Sequence, residues 1–255
     1  MRRSITDKTL WKLAGTVFLL LFWQFLAVTV GHRDFILPGP RETFLASFRM
    51  LQGTYVYKCI FETLKRMVAG FTISFLIGLV LGCFAGNDER IRIFFEPFMT
   101  CLKAIPTASL VYLFIVLSGA RNAPLYIVVL ISLPIIYESV AGGIANLDPS
   151  VDKALRVDGG NAFTNTWKVK LPLAVPYIIV GMASSFTLSF KIEIMAEVIT
   201  GYSKLGLGSA ILASQRSDPT DMTDVFAYSL AAVLIVLLID ELAHILERKL
   251  RSSFE

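Results

Sequence analysis

The feature that most constrains this 255-residue chain is a series of long apolar runs from which charge is nearly absent. Leu13 to Val30 and Met67 to Gly86 carry no charge, Cys101 to Gly119 carries only Lys103, and Ala123 to Ala145 carries only Glu138. Leu171 to Thr200 holds Lys191, Glu193 and Glu197, and Val225 to Ile245 contains Asp240, Glu241 and His244 near its end. Crossing a bilayer as a helix takes roughly 20 apolar residues. The runs therefore predict six transmembrane helices, near 13–30, 61–86, 98–119, 123–146, 171–199 and 223–246, in one membrane domain spanning 1–255. Composition agrees, with 55% hydrophobic and 17% charged residues, where a soluble domain carries about 25% charge. The alternation of a membrane barrel is missing, so the expected fold class is an all-α integral membrane protein.

Arg2, Arg3, Lys8 and Lys12 precede the first run, which is longer than a signal-peptide core and is not closed by a small-x-small site. A retained signal anchor is the expected reading. With the N-terminus inside, the inner segments hold about twice as many Lys and Arg as the outer ones. Both termini are thus expected to be cytoplasmic. The net charge of +4 follows from that bias and calls for no nucleic acid. Cys59, Cys83 and Cys101 form neither a disulfide framework nor a metal spacing, and His32 and His244 are isolated.

Between the runs, Pro38-Gly39-Pro40 signals a turn into Glu42 to Leu51, whose apolar residues recur at helical spacing and predict a short helix at the outer surface. Gly78, Gly82 and Gly86 repeat every four residues and form a face that admits a second helix closely. Pro106 is expected to kink the third span. The longest inner connection, 148–170, contains Asp148 as a cap, Pro149 at a first helical position and Gly159-Gly160 as a stop. Phe163 and Trp167, one turn apart, mark a second short helix. Two short helices joined by glycine make a knob fit to dock on a cytosolic partner.

Lys153-Ala154-Leu155, Gly159, Leu171-Pro172 and Pro176 resemble the cytoplasmic loop of the membrane subunits of bacterial ATP-binding-cassette importers. There the pattern is Glu-Ala-Ala, three residues, Gly, and Leu-Pro some twelve positions later. Ala104-Ile105-Pro106, Ala196-Glu197-Val198-Ile199, Gly206-Leu207-Gly208 and Leu246-Glu247-Arg248 extend the similarity, which covers roughly 58–250. Together they resemble the branch that imports nitrate, sulfonates, taurine, bicarbonate, and some thiamine or riboflavin precursors. Two positions depart: Lys153 stands where Glu is usual, and Leu155 replaces the second Ala, while Asp152 keeps an acid at the helix start.

The resemblance implies a type I importer permease in the bacterial cytoplasmic (inner) membrane, acting as a homodimer with two ATP-binding subunits and an extracytoplasmic solute-binding protein. Lys153, Ala154, Leu155, Arg156, Gly159, Phe163, Trp167 and Pro172 are then expected to couple to the ATPases. ATP and magnesium would sit on those partners, because this chain has no phosphate loop and no cofactor of its own is expected. Candidates for the solute pathway are Lys191, Glu193, Glu197, Ser185, Ser189 and Glu138. Lys191 either offers a positive charge to an anionic solute or pairs internally with Glu138, Glu193 or Glu197. Lys65 and Arg66 are expected to snorkel to the interface. The rivals are an ion-gradient-driven secondary transporter with Glu138, Glu193 and Glu197 as carriers, and a scaffold without transport. No internal repeat supports the former.

Overall fold

A backbone in hydrocarbon has no water to satisfy it and must close its own hydrogen bonds. In the computed structural model, which describes residues 5–30 and 37–254, the apolar runs are accordingly helical, apart from a break inside the 101–119 run. His32, Arg2 and Arg3, and the side chain of His244, lie outside the described residues. Helix α1 (Ile5–Val30) exposes apolar side chains nearly all round, as a lipid-facing span does. Trp23 ties it to the rest: its indole N–H donates to Pro38 O at 3.1 Å, and its ring lies against Phe44 and Phe226. Pro40 opens the short helix α2 (Pro40–Leu51), whose Glu42 carboxylate accepts the Gly39 N–H at 3.3 Å.

Helices α3 (Thr54–Asn87), α6 (Ala123–Ala145) and α9 (Leu171–Thr200) form the centre. The glycine face of α3 sets the closest packing: a Cβ on Gly78 would meet Ile136 at 2.8 Å, one on Gly82 would meet Val140 at 2.6 Å, and one on Gly86 would meet Ile144 at 2.7 Å. Along the seam of α3 and α9, Met67, Phe71 and Phe190 are buried, with the Phe71 and Phe186 rings edge to face at 5.0 Å. Helices α10 (Leu207–Ser217) and α11 (Thr223–Phe254) close the other side of α9.

The kink expected at Pro106 in the 98–119 segment is a full break. The helix is split into α4 (Glu89–Ala104) and α5 (Thr107–Ser118), which meet at 97°. Pro106 has no N–H to donate and disfavours helical geometry in the residue before it. Ile105 and Pro106 are both extended, with ψ of 128° and 125°. Among the described residues five helices are long and apolar enough to cross a membrane, or six with the bent pair taken as one.

On the far side of α6, Asp148 caps α7 (Pro149–Asp158), and Gly159 ends it in the left-handed region at φ +70°. Helix α8 (Ala162–Asn165) then passes through a wider π turn at Thr166–Lys170, where Leu171 N–H donates to Thr166 O. The polypeptide from Phe163 to Thr200 is thereby one continuous helical rod joining the knob to the core.

Candidate functional site

The two ends of α9 carry different chemistry. At its C-terminal end, Glu193 and Glu197, one turn apart, are 0% and 1% exposed and converge on Arg66 of α3. Arg66 Nε donates to Glu193 Oε1 at 3.2 Å, and Nη2 donates to Glu197 Oε1 and to Leu205 O. Glu197 also accepts from the Thr63 hydroxyl and, at 2.9 Å, from the Gly208 N–H, while Thr63 Oγ1 accepts the Leu207 N–H at 2.9 Å. Only glycine fits here at 206, because a Cβ would meet the Glu197 carboxylate and the guanidinium at 2.5–2.6 Å. The result is a lock binding α3, α9 and the start of α10.

This arrangement corrects one expectation and removes one of the two alternatives for Lys191. Arg66 does not snorkel; it is drawn inward by two buried carboxylates. The internal pairing of Lys191 with Glu138, Glu193 or Glu197 is not formed either. Two residues apart on a helix are turned by about 200°, so Lys191 and Glu193 face opposite ways. Glu138 pairs instead with Lys103 of α4, Nζ to Oε1 at 2.5 Å. Ser185 and Ser189 turn toward α6, where Ser189 Oγ lies 2.6 Å from Ser132 Oγ and Ser185 is buried beside them. Lys191 stands in an exposed stripe with Leu173, Tyr177, Val180 and Ser184. Among the described residues its ammonium enters none of the ion pairs and none of the hydrogen bonds.

At the other end, the knob shows apolar side chains to solvent. Val157 is 90% exposed, the exposed Phe163 and Trp167 rings lie tilted against each other at 6.1 Å, and Val151 and Leu155 turn partly inward. Lys153, Ala154, Arg156, Gly159 and Pro172 are exposed. Asp148 accepts from Ser150, and those hydrogen bonds, the side-chain one first, hold its carboxyl below the usual range. Lys170 anchors the knob to the core: its ammonium lies 2.7 Å from Asp152 Oδ1 and donates to Asn87 Oδ1 at 2.9 Å.

Arg66, Val157 and Lys170 are absent from the sequence candidates. A signal for Arg66 existed, since a cation within an apolar helix costs at least about 2.5 kcal/mol unless it finds a partner. Val157 and Lys170 carry no such mark, as exposed valine and terminal lysine are ordinary in sequence.

A bundle of apolar helices with a buried ionic lock and a protruding knob defines a polytopic membrane protein. Residues 76–252 match the family described as "Binding-protein-dependent transport system inner membrane component", and the chain belongs to that family. It is an ABC importer permease of the inner membrane. It is 24% identical over 241 residues to the putative aliphatic sulfonates transport permease protein SsuC of Bacillus subtilis (strain 168), covering 93% of this chain and 86% of the relative. The bicarbonate transport system permease protein CmpB of Synechococcus elongatus is 25% identical over 209 residues, 77% of this chain and 74% of CmpB. Among solved structures, the inward-facing MetNI methionine ABC transporter superposes with a TM-score of 0.68 at 17% identity, covering 76% of this chain and 95% of that one.

Proposed function

We infer that the chain forms, with a second copy of itself, the pathway of an ATP-driven importer for a small anion of the sulfonate, nitrate or bicarbonate type. In this reading two separate ATPase subunits, holding ATP and magnesium, grip the 149–170 knob on the cytoplasmic side, and an external binding protein delivers solute to the opposite end. The termini lie in the cytoplasm.

The observation that carries this reading is Lys191. An ammonium facing lipid costs at least about 2.5 to 3.5 kcal/mol, so an exposed lysine within a central helix, without an ion pair among the described residues, belongs beside water or a second copy. Its positive charge favours an anion, and the sulfonate and bicarbonate permeases among its relatives support that choice. The carboxylates that an ion-gradient carrier would use are engaged, Glu193 and Glu197 by Arg66 and Glu138 by Lys103.

Lys191→Met should lower uptake of ethanesulfonate, nitrate or bicarbonate by the reconstituted complex at least tenfold, with a thermal midpoint unchanged. Lys191→Arg should retain most uptake. Unaltered transport in Lys191→Met, or a loss of folding in its place, would remove the lysine from the pathway.

A further inference from the structure

At the end of the bundle opposite the knob lies a hollow of about 660 Å³, walled by α3, the turn from α5 into α6, and the 200–204 segment that follows α9. Its position follows from topology: α6 runs from the hollow to the knob, and α9 runs back. The volume lies within the range of small-molecule sites, about 300 to 1,000 Å³. Four cations line it, Lys65, Arg66, Arg121 and Lys204, against two carboxylates, Glu62 and Glu197.

The carboxylates are already committed. Glu197 is held by Thr63, Arg66 and Gly208, and Glu62 sits between Lys65 at 3.7 Å and Arg66 at 4.0 Å. Arg121 and Lys204 are exposed, and among the described residues neither enters an ion pair. Charge of one sign inside a concave wall focuses the field and raises the local concentration of the opposite ion. We propose that this hollow is an anion vestibule, in which Arg121 and Lys204 receive a small oxyanion before it reaches Lys191.

The proposal deepens the anionic-solute reading and rests on it. A protein partner with an acidic surface is the competing occupant. The concavity favours the small ion, because the free cations come from two separate segments, the α5–α6 turn and the 200–204 stretch, that line one recess.

The assembled permease and ATPase complex, in nanodiscs and without binding protein, provides the test. Tyr202 lines the hollow, so Tyr202→Trp supplies a local fluorophore, read as the difference from the parent complex. Titration with sodium ethanesulfonate at constant ionic strength should saturate. In the reporter carrying Arg121→Gln and Lys204→Gln the half-saturating concentration should rise at least tenfold, while Lys191→Met leaves it unchanged and tetramethylammonium gives no saturation. A signal that does not saturate, or an equal half-saturation in the double variant, overturns the vestibule. So does a double variant that binds ethanesulfonate normally but loses affinity for the loaded binding protein, which would make the patch a protein-docking surface. Failure of the anionic-solute reading looks different: no anion is imported at all. If only the vestibule is wrong, import persists with the same concentration dependence in the double variant.

Discussion

At the Arg66 site one guanidinium answers two buried carboxylates, and among the described residues Glu193 Oε2 has no hydrogen-bond partner. Deleting the cation strands both acids, and breaking a buried pair from one side typically costs about 3–5 kcal/mol. Arg66→Met should therefore lower the thermal midpoint of the purified chain sharply. Glu193→Gln, which keeps the Arg66–Glu197 contact and removes the surplus negative charge, should lower it far less. Equal losses in the two variants would show that the lock does not depend on charge balance. The sequence displays each member of this lock but not their meeting. Arg66 lies 127 residues from Glu193 and 131 from Glu197, and within α3 it reads as a flanking cation free to reach the interface. For Glu193 and Lys191 the helical turn alone already separated the two side chains, a geometric fact that linear proximity concealed.

Between elements, legibility tracked how local the cause is. The glycine repeat on α3 announced a close helix contact because each glycine acts through its own missing Cβ, and α6 fills the space with Ile136, Val140 and Ile144. Sequence did not identify α6 as the neighbour, since any helix with branched side chains at matching spacing fits such a face. Gly82→Leu should push α3 and α6 apart, costing at least the 1–3 kcal/mol or so of an overpacked core. The substitution Gly15→Leu on α1, where a Cβ meets nothing within 4 Å, serves as the control in the same melting experiment. Should both melt alike, the α3–α6 seam is looser than its geometry implies. Pro106 was legible as a disturbance but not in size. A kink needs one lost hydrogen bond, whereas the 97° break needs both Ile105 and Pro106 extended.

Across the whole molecule, the question is how motion at the knob reaches Lys191 and the Arg66 lock. The rod from Phe163 to Thr200 connects them without interruption, and at its base Lys170 joins Asp152 of α7 to Asn87 at the end of α3. On the proposed reading, docking and transmission are therefore separable. Val157 is 90% exposed on the knob, so Val157→Asp should leave the permease folded while the ATPase subunits fail to co-purify with it. Lys170→Met keeps the exposed face but removes the strut between knob and core. The ATPases should then still co-purify and hydrolyse ATP, with stimulation by loaded binding protein and uptake reduced at least tenfold. Asp152→Asn should reproduce part of that loss, since Lys170 retains Asn87. The decisive comparison is the ratio of stimulated to basal ATPase activity, measured beside co-purification. If Lys170→Met keeps full stimulation, force passes through helix packing alone; if it loses the ATPases altogether, Lys170 shapes the docking face rather than the link behind it.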